Sequence, residues 1–291
     1  MSGTLYLVPV PIGNMGDVTL RALEVMRTVE LVAAEDTRHF RTLARAHTID
    51  ARVVSLHEHN EAARAPQLVA RLVEGASLAL VTDAGTPLVS DPGFRLVTAA
   101  IEAGIRVTSL PGASAVTTAL AASGLAPLPF RFCGYPPRAA GPRRPFYAGL
   151  AQESATLVVF EAPHRLVASL RDAREALGDR RACLARNMTK PHERYQRGTL
   201  AELMAAVTAE ETVRGECTLV IAGLERRDSG NASTAGQTVA AAAAALLLRE
   251  GAPPRAVQAL LVDQFGLSRR QAYRLAHEAG RPPGAKGLRG G

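Results

Sequence analysis

Cysteine, lysine and long apolar runs are all scarce in this chain, and each shortage narrows the range of functions. The three cysteines, Cys133, Cys183 and Cys217, are scattered and form no Cys-x-x-Cys pair. That argues against a disulfide framework and a zinc site, and for a reducing cytosol. The longest apolar run, Val239 to Leu248, is far short of the roughly 20 residues that span a bilayer. No charged-then-apolar leader precedes the strand-like run Thr4 to Val10, so a soluble cytoplasmic protein is expected, without membrane or metal. Two phosphate-binding signatures, Gly-x-x-x-x-Gly-Lys-Ser/Thr and Gly-x-Gly-x-x-Gly, are also missing. The first loop reads Val8-Pro-Val-Pro-Ile-Gly-Asn-Met-Gly-Asp17 instead, and its prolines lack the N–H donors a pyrophosphate wants. This counts against nucleotide diphosphates and dinucleotides and leaves room for a cofactor without phosphates. Finally, of 34 Lys and Arg residues only Lys190 and Lys286 are lysines.

What is present is size, apolar content and an uneven charge. With 291 residues, 47% of them hydrophobic, the chain can bury a large core in two or three domains. Residues 226–291 hold ten Lys and Arg against four acids, a charge of +6, while the whole chain carries +7. A basic appendage on a near-neutral body suggests that a polyanion is held at that end. A solubilising tail is the competing reading.

From residue 4 to about 123, strand-like runs at Leu5–Val10, Leu31–Ala34, Val53–Leu56, Leu78–Val81 and Val107–Leu110 alternate with helical stretches. Those stretches include Thr19–Arg27, Glu61–Val73, Phe94–Ala103 and Ser114–Ala122. Single helices between strands predict a parallel, doubly wound α/β domain over 1–124. A second α/β domain is expected over 125–225, with strands at Arg131–Tyr135, Thr156–Glu161, Ala182–Arg186, Arg194–Thr199 and Thr218–Ala222. Helices are expected there at Leu166–Ala176 and Leu200–Ala209, and two strands in succession imply a mixed sheet. Residues 226–238 read as a linker and 239–280 as a small basic helical domain, helix-turn-helix-like. Its first helix runs from Pro253-Pro254 to Asp263, and Ser268 with Gln271 boxes the start of the second. Arg269, Arg270 and Arg274 on that second helix are candidate RNA contacts, and the Pro/Gly/Arg tail 281–291 is expected to be disordered.

The segment Val81-Thr-Asp-Ala-Gly-Thr-Pro-Leu-Val-Ser-Asp-Pro-Gly-Phe94 carries most information. A strand breaks there into an acidic Gly/Pro loop, at the strand end where open α/β sheets hold ligands. Asp91 reads as the cap of the next helix, with Pro92 in its first turn. That leaves Asp83, Gly85 and Thr86 for a ligand. Glu35-Asp-Thr-Arg38, Pro111-Gly-Ala-Ser-Ala115, Phe160-Glu-Ala-Pro-His-Arg165 and Arg186-Asn-Met-Thr-Lys-Pro-His-Glu193 follow other strands. Five such loops suggest two domains facing one cleft. S-adenosylmethionine, with its sulfonium and its amino-acid end, suits carbonyls, carboxylates and hydroxyls better than a ring of N–H groups.

These blocks, together with Ile12-Gly-Asn, Asp17, Leu20, Leu110-Pro-Gly and Thr189-Lys190, resemble the ribosomal small-subunit RNA methyltransferase I family. Its members are 16S rRNA cytidine 2′-O-methyltransferases within the tetrapyrrole-methylase (class III) superfamily. The resemblance covers about residues 4–225 and resumes in the C-terminal helix pair, and departs from the family in the Gly/Ala/Arg-biased linker and tail. It implies an S-adenosylmethionine-dependent homodimer acting on 16S rRNA or the 30S subunit, in the decoding region. Cofactor contacts are then expected near Pro11, Asp83, Thr86, Val89, Ala113, Ser114, Ala115, Phe160, Asn187, Cys217 and Thr218. A tetrapyrrole methylase or a non-catalytic RNA-binding protein are the competing functions.

Lys190 stands out where arginine fills nearly every other basic position, because only lysine readily loses its proton. Set among Arg186, His192 and Arg194, it is a candidate to deprotonate or orient a 2′-hydroxyl, or simply to bind phosphate. Asp36 and Glu35 are alternative bases, unless they serve to orient Arg38, itself a candidate RNA contact. Arg165, with His164, either grips RNA or caps the helix at Leu166. Arg138, Arg143 and Arg144, in a Pro/Gly-rich loop with Phe146 and Tyr147, read as phosphate contacts beside base-stacking rings. A solvated loop is the other reading.

Overall fold

Hydrophobic strands separated by single helices leave little choice of architecture, and the computed structural model shows the result for residues 2–224, 234–265 and 267–278. The chain divides into two compact units, Met1–Leu224 and Glu225–Gly291. In the first, β1 (Thr4–Leu7), β2 (Leu31–Ala34), β3 (Val53–Ser55), β4 (Leu78–Val81) and β5 (Arg106–Ser109) form a parallel sheet in the order β3-β2-β4-β1-β5. The helices α1 (Leu20–Thr28), α2 (Thr37–Ala46), α3 (Glu61–Val73), α4 (Phe94–Glu102) and α5 (Ala115–Ser123) connect and follow them. Buried strands β2 and β4 carry apolar side chains to both faces, as a sheet covered on both sides requires.

A second, mixed sheet runs β6-β7-β10-β8-β9, from β6 (Phe130–Phe132), β7 (Thr156–Glu161), β8 (Arg181–Arg186), β9 (Arg194–Thr199) and β10 (Cys217–Ile221). Only β6 and β7 pair in parallel; β10 runs antiparallel to both its neighbours. Helices α6 (Ala140–Ala148), α7 (Leu166–Leu177) and α8 (Leu200–Thr208) pack with this sheet around Tyr147, Leu157, Leu170, Leu184 and Leu219. The second unit holds α9 (Thr234–Arg249), α10 (Pro254–Phe265) and α11 (Arg269–Glu278) around Ala240, Ala244, Val257, Leu261 and Ala272. The Ser268–Gln271 box is formed: Gln271 N–H donates to Ser268 Oγ at 3.3 Å, and Ser268 N–H to Gln271 Oε1 at 3.0 Å. No described helix is long and apolar enough to cross a membrane.

The structure corrects several expectations. β1 ends at Leu7 rather than Val10, because Pro9 and Pro11 cannot donate to a ladder. Val10 instead makes an isolated bridge to Gly85, with N···O distances of 2.9 and 3.0 Å. The Arg143 segment is helix α6, not a loop. Arg143 is buried and donates to Asp172 at 2.7 Å, and buried Tyr147 shares a 2.7 Å hydrogen bond with Ser169. Neither side chain is free to meet RNA. Helix α9 begins at Thr234, inside the stretch read as a linker. The rest of that stretch, 226–233, and the tail 281–291 lie outside the described residues.

The cap of α4 is also not the one expected. Asp91 makes no cap; Gly93 (φ 123°) precedes the helix, and buried Glu61 accepts from Arg95 N–H at 2.7 Å and Leu96 N–H at 3.2 Å. A carboxylate reaching over from α3 therefore satisfies the first turn, which leaves Asp91 for the site.

Candidate functional site

Strand order puts the site where it is. β1 leads toward β2 on one side of the sheet and β4 leads toward β5 on the other, so their carboxyl ends flank the switch point. The Val10–Gly85 bridge ties the two loops together there. In the second sheet, antiparallel β10 begins beside the ends of β7 and β8, with Cys217 opposite Glu161 and Arg186. Between these elements lies a cavity of about 400 Å³.

Asp83, Thr86, Val89, Ser114, Ala115, Phe160, Cys217 and Thr218, all expected at a cofactor, line it. Three others do not. Ala113 stands behind the wall, its carbonyl accepting from the Thr86 hydroxyl at 3.1 Å. Asn187 (φ 51°) turns its side chain onto Gly215, where a Cβ has no room, and so braces a glycine that does line the cavity. Pro11 lines a second cavity, of about 190 Å³, with Gly13, Met15, His39, Leu43 and Lys190. The two cavities share Ile12, Asp83, Ala84 and Glu216.

Carboxylates dominate the larger cavity: Glu35, Asp83, Asp91, Glu161 and Glu216 all reach it. Asp83 and Glu35 hold each other's loops, Asp83 N–H donating to Glu35 Oε2 at 3.2 Å and Asp36 N–H to Asp83 Oδ1 at 3.1 Å. Burial, and then the neighbouring Glu35 charge, push the Asp91 carboxyl up to about 7. Burial also raises Glu35. Such a wall repels phosphate and favours a cation. On the other side, the Phe160 ring lies 4.8 Å from Phe132 and 5.4 Å from Tyr135, an apolar surface for a planar base. Burial raises the Cys217 thiol to about 11, so it is no nucleophile near neutral pH.

Of the five described non-glycine residues with positive φ, four sit in two loops of this site: Leu88, Ser90, Asn187 and Thr189. Strain of this kind persists only where the surroundings fix it. The fixing contacts are visible. Asn14 N–H donates to Thr189 Oγ1 at 3.0 Å, and a Cβ on Gly13 would come within 2.6 Å of Lys190 Cγ.

The candidate catalytic side chains are placed less simply. The Lys190 ammonium donates to Glu216 Oε1 at 2.7 Å, while Arg186 and Arg194 pair with Glu210. Those two arginines are thus answered by a carboxylate of their own. Asp36 caps α2 through Arg38 N–H and grips the Arg38 guanidinium at 2.7 and 3.1 Å, which holds its carboxyl well below the usual range. So weak a base is poorly matched to proton abstraction. Orienting the exposed Arg38 is what Asp36 does. Arg165 Nη2 lies 2.6 Å from buried Glu161 Oε1, so it steadies a cavity carboxylate instead of reaching outward. Arg138 and Arg144 are exposed, as are Arg269, Arg270 and Arg274 on α11. Sequence reasoning missed Glu216, Glu161, Tyr135, Met188 and Asp91 as lining residues. Glu216 precedes a strand instead of following one, and only the antiparallel direction of β10 brings it to this end.

A family model for Tetrapyrrole (Corrin/Porphyrin) Methylases matches residues 4–204. The chain is 49% identical over 286 residues to a ribosomal RNA small subunit methyltransferase I from Micromonospora olivasterospora, covering 97% of this chain and 90% of that one. The chain belongs to the tetrapyrrole methylases, within the ribosomal RNA small subunit methyltransferase I family. The family's Escherichia coli O157:H7 member is 42% identical, with 95% of each chain covered. Its fold is shared by uroporphyrin-III C-methyltransferase from Thermus thermophilus, complexed with S-adenyl homocysteine. That structure has a TM-score of 0.51 and 21% identity, and the match covers 76% of this chain and 97% of that one.

Proposed function

We propose that this chain transfers a methyl group from S-adenosylmethionine to small-subunit ribosomal RNA, at the 2′-hydroxyl of a cytidine in the decoding region of 16S rRNA. The observation that carries the cofactor is the acidic, phosphate-averse cavity with an aromatic wall. When bound, S-adenosylmethionine supplies an electrophilic methyl on a cationic sulfonium. Asp83, Asp91 and Glu35 offer that cation its countercharge, while Phe160 and Thr218 border the space for the adenosine. Arg165 holds Glu161, a further carboxylate of the same wall, in place before binding. Because the donor is already activated, the protein's main task is alignment. Lys190, in the smaller cavity and paired with Glu216, orients the acceptor oxygen. The relatives' name supports the RNA class; the resemblance supports the cytidine and its 2′-oxygen.

The two α/β domains divide at about residue 124 and hold the cleft, and the basic helical unit adds RNA affinity through Arg269, Arg270 and Arg274. A cytoplasmic homodimer completes the reading, supported by the resemblance and by exposed Phe94 and Ile101 on one face of α4. Labelled S-adenosylmethionine incubated with unmodified 30S subunits tests the core claim, with the product mapped by nuclease digestion and mass spectrometry. A 2′-O-methylcytidine in the decoding region is expected. Cofactor binding with no label in RNA, or label in a tetrapyrrole, would overturn it.

A further inference from the structure

The smaller cavity has been given no occupant. We infer that it is the acceptor subsite, taking the ribose and base edge of one extruded nucleotide, with Glu216 and Lys190 gripping the 2′-hydroxyl. This rests on the reading above that the acceptor is RNA.

Three observations carry it. The cavity shares a wall with the larger one through Ile12, Asp83, Ala84 and Glu216, so an occupant would stand next to whatever fills the cofactor space. Its volume of about 190 Å³ suits a sugar with part of a base and is too small for a macrocycle. Its chemistry then selects within that size. Glu216 and Asp83 present carboxylates, which disfavour a phosphate at this point. Pro11, Ile12, Met15 and Leu43 give it an apolar lining.

The polar pair is suited to a hydroxyl. Lys190 Nζ can only donate and Glu216 can only accept, and they stand 2.7 Å apart at the cavity edge. A hydroxyl is the group that accepts from the first while donating to the second. Within a strand, where the 3′-oxygen is esterified, a ribose still offers one at the 2′ position and a deoxyribose does not. A base inside a helix cannot reach such a pocket, so the nucleotide must leave its stack. Glu216 is thus a binding residue for the acceptor, assigned by its place in both cavities.

The test uses the full chain with cytidine 5′-monophosphate and its 2′-deoxy analogue as probes, followed by ligand-detected NMR. Cofactor affinity is measured in parallel by calorimetry. The ribonucleotide should bind about three- to ten-fold better than the deoxy analogue, and Glu216→Ala, which removes the acceptor, should erase that preference. Met15→Trp, which fills the cavity from a partly exposed position, should weaken nucleotide binding at least about ten-fold and leave cofactor affinity within about two-fold. The inference is overturned if the ribonucleotide fails to bind at millimolar concentration, if the deoxy analogue binds equally well, or if Met15→Trp weakens the cofactor instead. Failure of methyl transfer to 30S subunits alongside the expected nucleotide results would count against the proposed function alone.

Discussion

Asp172 and Asp91 are both withdrawn from solvent in the same unit, and the protein treats them in opposite ways. Asp172 receives Arg143 at 2.7 Å and Arg144 at 3.3 Å, and the Arg143 guanidinium donates onward to the Arg138 carbonyl. Asp91 has no arginine; it faces Glu35 and Asp83, and its carboxyl is pushed up to about 7. A charge answered within the fold joins α6 to α7. A charge left unanswered beside a cavity holds its proton up to about pH 7, and a cation bound there would draw that proton off. The exposed arginines of α11 are the positive counterpart, with no ion pair among the described residues, and phosphate is the partner proposed for them.

Breaking the answered pair should have the largest effect. Asp172→Ala leaves Arg143 buried without its partner, and unfolding by denaturant should show a loss of about 3–5 kcal/mol. Cofactor affinity of the protein that remains folded should not change.

Asp91→Asn should do the reverse. Calorimetry at pH 8 should find S-adenosylmethionine binding weakened about ten-fold or more, as one countercharge is lost. The ligand-free protein should gain stability, on the order of 1–2 kcal/mol after allowing for solvent screening. The sign follows from the raised carboxyl. Between the ordinary Asp value and about 7 the folded protein holds a proton that the unfolded chain has released. Stability therefore falls across that window as pH rises, and levels off above it. Binding of a cation runs the other way, strengthening from pH 6 to 8 with proton release. A flat affinity profile in the wild-type protein would deny Asp91 this role.

On the positive side, replacing Arg269, Arg270 and Arg274 with alanine should weaken RNA binding uniformly across sequences. The slope of log affinity against log salt should fall by up to about three. Removal of everything after Leu224 should do at least as much while sparing the cofactor. An unchanged slope in either protein would take α11 out of RNA binding. The smallest effect belongs to Arg38→Ala. Its pair with Asp36 is largely in solvent, so thermal unfolding should not move, and any loss should appear only in the KM for 30S subunits.

Much of the architecture was legible because the strands declare themselves: Leu31–Ala34, Leu78–Val81, Thr156–Glu161 and Arg194–Thr199 fall where the apolar and turn patterns put them. The loops that line the larger cavity were legible because Gly85, Pro87 and their neighbours have few other uses. What escaped depended on distant partners. Helix α6 carries Pro145 and an early Gly-Pro, and its packing on α7 overrides a composition that reads as loop. Asp91 was assigned to the nearest helix start, because nothing local reveals that Glu61, over thirty residues earlier, occupies that place. Helix α2 went unnamed, since only Phe40, Leu43 and Ala44 of its ten residues are buried.

The near-absence of lysine has a practical consequence. Apart from the terminal amine and Lys286 in the tail, Lys190 is the only primary amine in the chain, and it lines the smaller cavity with its ammonium on Glu216, a residue common to both cavities. An amine-selective reagent used at limiting dose therefore works as a built-in footprint of the site. The modification rate at this one position, read from a single peptide, reports filling of the pocket without any engineered label.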